Sequence, residues 1–260
     1  MKFAKKSLGQ NFLIDKNIIR KIINLVTIKN KDIIEIGPGK GALTEEILKK
    51  KPKSLSVIEK DVELAKNLKL KYSNNKIIKI YNADILKFDL EKINKKNCFI
   101  LGNLPYNISS QIFVKIIRFN KWPPNFKNLV LMFQKELGEK IIGKYPSSKY
   151  GRLSILSNFR LNILKKFLIS SNCFFPKPKV TSMIIHFQPK KEVFKIRNIK
   201  SLEKVTNILF SNKRKMINKN IKKILTTARI NKINSLDLKS RPSEIKPEFY
   251  YKITELFEKN

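Results

Sequence analysis

The sequence predicts an α/β protein, with a doubly wound sheet domain over residues 1–190 and a small α-helical domain over 191–260. Three observations predict it. Short apolar runs alternate with helix-period segments from about residue 30, the first run ends in a glycine loop, and strand signals stop near Glu192. Strands separated by helices of this length make a parallel sheet with right-handed crossovers.

The first strand reads Asp32–Ile36, followed by the glycine loop and a helix over Ala42–Lys51. A strand over Leu55–Glu59, a helix from Asp61 to about Lys71 and a strand over Lys76–Tyr81 come next. Cys98–Gly102, a helix from about Ser109 to Phe119, and Leu129–Phe133 continue the alternation. Ile163–Ile169 and Ser182–Gln188 lie close enough in sequence to be antiparallel neighbours at one edge. Ser201–Ile230 then reads as helical, with Leu202, Val205, Ile208 and Leu209 at helical spacing, and Arg241–Phe257 as a further helix.

At 260 residues the chain has room for both domains. Its formal net charge of +36 points to a polyanionic partner, because each lysine laid on a phosphate releases a counterion. Part of the excess reflects codon drift, since lysine greatly outnumbers arginine and Ile and Asn are abundant. No apolar run approaches the ~18 residues of a membrane span, and no segment reads as a membrane-surface helix. Cys98, Cys173 and the single His186 cannot furnish a usual zinc site or a disulfide scaffold, so no metal is expected and a cytoplasmic, reducing setting fits.

The glycine loop is Glu35-Ile-Gly37-Pro-Gly39-Lys-Gly41, where a first strand turns into its helix. Glycines there let a ligand approach the backbone. Glu59, twenty residues past Gly39, is placed to hold a ribose. On this loop alone a methyltransferase and a dehydrogenase fit equally well. Asp84, after the third strand, adds a polar group suited to accept from an adenine amine and favours the methyltransferase, although a lone Asp there is more often a turn residue.

Gly102-Asn103-Leu104-Pro105-Tyr106 follows the fourth strand. Adenine's exocyclic amine is a weak nucleophile, its lone pair delocalised into the ring. The Asn103 side-chain oxygen and the Leu104 carbonyl are suited to accept one N–H each, turning the lone pair towards an incoming methyl. Pro105 restricts Leu104 and so fixes that carbonyl. Tyr106 offers a ring to a base that has left its stack.

This element resembles the adenine-amine methyltransferase motif, and the chain resembles the ribosomal RNA adenine dimethyltransferases almost end to end, in particular the bacterial small-subunit type. The likeness rests on Lys6-Ser-Leu-Gly-Gln10-Asn11-Phe12-Leu13, Glu35–Gly39, Val57–Glu59, Ala83-Asp84, Gly102–Ser109, Phe174-Phe-Pro-Lys-Pro-Lys-Val180, Phe210–Lys215 and Arg241-Pro-Ser-Glu-Ile245, in that order. It implies a Rossmann-like, S-adenosylmethionine-dependent methyltransferase sheet with a helical RNA-binding domain. The activity it implies is dimethylation of two adjacent adenosines in a hairpin loop near the 3′ end of small-subunit ribosomal RNA, during ribosome biogenesis. The implied substrate is a pre-assembled small subunit and the implied state a monomer. Cofactor contacts carry over to Asn11, Leu13, Gly37, Gly39, Glu59, Asp84 and Asn103, and base contacts to Asn103, Leu104, Tyr106 and Phe174.

Asn212 and Lys213 depart from the family's Gln and Arg, and Phe175 sets a second aromatic beside Phe174. By register Phe174 is the expected stacking ring. Lys213, Arg214, Lys215, Lys219 and Lys222 are the expected RNA contacts, with Lys215, Lys219 and Lys222 on one helical face; Lys149, Arg152 and Arg160 are further phosphate candidates. His186, Cys98 and Trp122 read as structural. Two other readings share parts of the pattern. A large-subunit dimethyltransferase of the antibiotic-resistance type shares the site motifs, and a non-catalytic assembly factor shares the basic surface. Arg241–Ile245 with Lys213–Lys215 argues against the first, and an intact Asn103–Tyr106 against the second.

Overall fold

A computed structural model describes residues 9–191 and 194–259. The family-like positions Lys6–Leu8 fall outside the described residues. The chain forms two compact units. One gathers the described residues up to Phe119 with Pro124–Gly138 and Asn162–Pro189; the other gathers Asn120–Pro123, Glu139–Leu161 and the residues from Lys190 onward.

The first unit carries strands β1 (Phe12–Leu13), β2 (Asp32–Ile36), β3 (Ser54–Glu59), β4 (Ile78–Asn82), β5 (Phe99–Asn103) and β6 (Asn128–Gln134). Helices α1 (Lys16–Ile23), α2 (Ala42–Lys49), α3 (Val62–Lys71), α4 (Leu90–Ile93) and α5 (Ser109–Ile117) run between them, and α6 (Lys135–Ile141) follows β6. After α7 (Arg152–Arg160) come β7 (Leu161–Ile169), β8 (Phe174–Phe175) and β9 (Ser182–Pro189). Seven strands form one sheet in the order β4-β3-β2-β5-β6-β9-β7. The five from β4 to β6 pair in parallel, and β9 runs antiparallel to β6. β7 is the edge strand and neighbours β9, as their closeness in sequence predicts. The order reverses at β2, which has β3 on one side and β5 on the other. That switch point opens a crevice at the carboxyl ends of the strands.

Local chemistry sets the boundaries. β2 and β5 are buried almost throughout, which explains their unbroken apolar character. Asp15 caps α1 by accepting from Asn17 N and Ile18 N, and Asp61 caps α3 by accepting from Glu63 N and Leu64 N. Cys98 is fully buried, and His186 is held by Asn128 Oδ1 at 2.6 Å, so both are structural.

The second unit contains α7 with α8 (Ile199–Leu209), α9 (Asn218–Ile221), α10 (Thr227–Ile230) and α11 (Pro247–Phe257). It is larger than the expected 191–260, because 120–123 and 139–161 join it. Aromatic residues make that link. Tyr251 Oη donates to Ile155 O at 3.1 Å, Tyr150 Oη donates to Ile245 O at 2.9 Å, and the Phe159 and Tyr251 rings lie 5.0 Å apart.

The continuous helical run expected over Ser201–Ile230 is broken. After α8 the chain makes a short 3-10 turn (Phe210–Asn212), and Lys213–Met216 are exposed and non-helical. No buried side chain anchors a helical face there, and Ile217 N instead donates to Ser240 O at 3.1 Å. Lys215, Lys219 and Lys222 therefore do not share one helix face. Arg160 is also corrected: it is buried, with its guanidinium 4.5 Å from the centre of the Trp122 ring, and is not a surface phosphate contact.

Candidate active site

Consecutive strand ends supply the site. Gly37–Lys40 after β2, Glu59 and Lys60 at β3, Ala83 and Ile85 after β4, and Asn103–Ile108 after β5 line one pocket. The segment Gly9–Leu13 forms its remaining wall. Asn11, Leu13, Gly37, Gly39, Glu59, Asn103, Leu104, Pro105 and Tyr106, drawn from four separate stretches of chain, are thus brought together.

The glycine loop is shaped for close approach. Gly37 and Gly39 have φ of 68° and 59°, which side-chain-bearing residues rarely adopt. A Cβ on Gly39 would sit 2.8 Å from Phe12 Cδ1, so the loop and the N-terminal segment touch only because Gly39 lacks one. Glu59 Oε2 accepts from Gly39 N at 3.1 Å and Oε1 accepts from Asp61 N at 2.8 Å. Burial raises the Glu59 pKa, while these amides pull the other way by stabilising the charge.

Three bonds hold the wall formed by the N-terminal segment. Asn103 Nδ2 donates to Asn11 O at 3.1 Å, Gln10 Nε2 donates to Asp61 Oδ2 at 3.1 Å, and Ile14 N donates to Cys173 O at 2.8 Å. The β1–β8 pairing adds Phe12 opposite Phe175 and Leu13 opposite Phe174. With its NH₂ given to Asn11, Asn103 keeps its side-chain oxygen as an acceptor, and no described residue donates to that oxygen. The Tyr106 and Ser182 hydroxyls hydrogen-bond each other, which fixes the tyrosine ring at the pocket wall.

Two expected residues are placed differently. Asp84 is absent from the lining, although both its neighbours are present. Its Oδ1 accepts from Leu86 N at 2.9 Å, the turn role common for Asp, and its Oδ2 pairs with Lys60 Nζ at 2.8 Å. The Lys60 ammonium holds its pKa below the usual carboxylate value. Phe174 is 2% exposed and belongs to the apolar cluster of Leu13 and Ile169, whereas Phe175 is 52% exposed. A buried ring has no open face for a base, so the structure does not present Phe174 for stacking, and neither Phe174 nor the exposed Phe175 is among the residues that line the pocket. Leu13 and Phe174 share the inner face of a two-stranded ribbon, leaving Phe12 and Phe175 on the other.

Sequence reasoning missed Gln10, Ser182 and the buried Glu35. Glu35 accepts from Thr44 Oγ1 at 2.7 Å through Oε2, and its Oε1 is buried without a partner. Burial pushes its pKa up to about 7 against the opposing Thr44 bond. A charged residue inside an otherwise apolar strand was the available signal.

A profile of the family described as ribosomal RNA adenine dimethylase matches residues 1–259. Ribosomal RNA small subunit methyltransferase A of Pelagibacter ubique (strain HTCC1062) is 46% identical over 259 residues, 98% of this chain and 97% of that protein. The protein of the same name from Malacoplasma penetrans (strain HF-2) is 41% identical, over 96% of this chain and 91% of its own. Among solved structures, a dimethyladenosine transferase from Plasmodium falciparum matches with a TM-score of 0.74 at 25% identity, covering 93% of this chain and 95% of the other. The 23S rRNA methyltransferase ErmE shares the fold, with a TM-score of 0.71 at 22% identity over 95% of this chain and 99% of the other.

Proposed function

The chain belongs to the ribosomal RNA adenine dimethylase family and is an S-adenosylmethionine-dependent rRNA adenine dimethyltransferase; from that premise we propose how its residues act and on what. The substrate is small-subunit ribosomal RNA, at two adjacent adenosines of a hairpin loop near its 3′ end. We further assign the pre-assembled small subunit as the form acted on, a monomer as the working state, and the cytoplasm as its place.

When bound, S-adenosylmethionine supplies a methyl group activated on sulfonium sulfur. The pocket fits such a ligand. Gly37 and Gly39 put backbone without a side chain on its wall, and the Glu59 carboxylate has lone pairs beyond its two amide bonds for ribose hydroxyls. Asn11 and Leu13 line the same space, and Asp84 sits between two residues that line it, Ala83 and Ile85.

Asn103 carries the chemistry. Its amide orientation, set by the bond to Asn11 O, is the observation on which the reading rests, because it leaves Oδ1 to accept one N–H of the adenine amine. The Leu104 carbonyl accepts the second, held by Pro105. Two fixed acceptors favour a tetrahedral nitrogen and act without reorganising at the moment of transfer. Tyr106 and Phe175 offer rings to the extruded base. The alkylated amine is acidic enough to lose its proton without a strong base.

Unmodified small ribosomal subunits incubated with radiolabelled S-adenosylmethionine and the protein provide the test. Label mapped to two neighbouring adenines of the small-subunit RNA supports the reading; no label there, with label appearing instead when unmodified large-subunit RNA is supplied in a parallel reaction, removes it.

A further inference from the structure

Tyr106 is held at both ends. Its carbonyl accepts from Oγ of Ser109, the first residue of α5, at 3.1 Å, and its phenol shares a hydrogen bond with Ser182. An aromatic side chain tethered only at its backbone can still move between staggered χ1 wells. A bond at the phenol oxygen removes that freedom, because a swing about Cα–Cβ would carry the oxygen away from Ser182. Rotation about the ring's own axis leaves the oxygen in place and is unaffected.

Ser182 makes a rigid anchor. It opens β9, is fully buried and lies opposite Gln134 of β6. Just before it, Thr181 O accepts from Lys135 N at 2.9 Å. Just after it, Met183 packs so closely on α6 that a Cβ on Gly138 would sit 2.9 Å from its Sδ. A hydroxyl at the head of a buried strand needs a partner, and among the described residues Ser182 Oγ has the phenol alone. Ser182 does not line the pocket, so it reaches the reaction only through Tyr106. Burial raises the Tyr106 pKa against the opposing Ser182 bond, which keeps the phenol protonated and leaves the ring as the part offered to a base.

We propose that Ser182 is a positioning residue for methyl transfer: through the phenol of Tyr106 it fixes, before the base arrives, the ring against which the target adenine lies. This rests on the reading of Tyr106 as a stacking ring given above. A ring already in place needs no ordering when the base enters. The adenine amine then meets the Asn103 and Leu104 acceptors in the geometry from which transfer occurs.

The test is a double-mutant cycle in the full chain, with Tyr106→Phe, Ser182→Ala and the two combined. It is read as single-turnover methylation of unmodified small ribosomal subunits at rising subunit concentration. Both single variants keep the ring and lose the same bond. Each is expected to lower the saturating rate roughly two- to tenfold, as for one net hydrogen bond. The half-saturating subunit concentration and the affinity for S-adenosylhomocysteine should stay close to the parent's. The combined variant should be no slower than either single one. Ser182→Cys, which keeps the size and weakens the hydrogen bond, should fall between parent and Ser182→Ala and serves in its place if the alanine variant folds poorly. Parent-like saturating rates in both single variants would overturn the proposal, as would losses that multiply in the combined variant. A loss of cofactor affinity that matches the loss of rate would also overturn it, since the bond would then hold the pocket as a whole. So would a Tyr106→Phe defect far beyond that of Ser182→Ala, which would give the phenol a chemical role of its own. A parent that methylates only large-subunit RNA removes the substrate reading instead, and the same cycle run on that RNA still decides the role of Ser182.

Discussion

Asn103 shows how one hydrogen bond decides what a side chain can do. An amide has a donor end and an acceptor end, and the bond to Asn11 O occupies the donor end. Asn103→Ala is therefore expected to cut the single-turnover methylation rate by orders of magnitude, because the lost bond acts mainly in the transition state. Cofactor affinity should fall only modestly, through the loosened Asn11 wall. Near-normal single-turnover methylation by this variant would remove Asn103 from its role. Glu35 presents the opposite case, a carboxyl with one oxygen buried and unpartnered. Its folded pKa, about 7, lies above the ordinary 4.5, so the folded state binds the proton more tightly. Its contribution is fully present below about pH 4.5 and is lost as pH rises through about 7. Glu35→Gln should remove that slope, gaining up to roughly 3 kcal/mol relative to the parent at about pH 8. Denaturant unfolding at several pH values reads it directly; parallel pH profiles for parent and variant would mean that Glu35 does not titrate in this range.

The β1–β8 ribbon is only two residues long on each side, yet it sorts four aromatic and aliphatic side chains between core and surface. Alternation along a strand puts Leu13 and Phe174 on one face and Phe12 and Phe175 on the other. Phe174→Ala should then cost about 3–5 kcal/mol of stability, as for other buried aromatic truncations. Phe175→Ala should leave the thermal midpoint close to the parent's while lowering methylation at limiting RNA by the ~1–3 kcal/mol of one base stack. A Phe174→Ala protein of normal stability with the larger methylation defect would restore the register-based assignment. Elements of this size explain where the sequence was hard to read. The inner parallel strands β2, β5 and β6 were legible because burial on both faces makes near-continuous apolar runs, and the glycine loop because its backbone excludes other residues. The ribbon was not, since two-residue strands leave no periodicity. The stretch after Leu209 misled in another way: Lys213–Lys215 are compatible with a helix, but helix formation there needed an apolar anchor, and the next ones, Ile217 and Ile221, belong to a new turn.

Across the whole molecule, the sequence showed two kinds of architecture in succession but not their interleaving. Residues 139–161 carry no change in composition that marks them as part of the C-terminal unit. Their membership arises from contacts made about a hundred residues later, by Glu244, Ile245 and Tyr251. Cutting at the apparent boundary is therefore not equivalent to separating the units. A fragment ending at Lys190 keeps α7 but loses the helices α8 and α11 with which this stretch packs, along with the donor to Ile155 O and the acceptor of Tyr150 Oη. Ile155, Leu156 and Phe159, all buried in the intact chain, would become exposed. Contiguous apolar surface of that kind promotes association. The fragment is expected to self-associate and to bind an apolar-surface dye such as ANS, while the full chain does neither. Replacing 139–161 in the same fragment by a short Gly/Ser linker should reduce dye binding and restore a monomeric elution volume, provided the sheet folds by itself. A monomeric 1–190 fragment with a sharp thermal transition and no dye binding would mean that the domain boundary lies at 190 after all, and that the contacts of 139–161 with the C-terminal helices contribute little to folding.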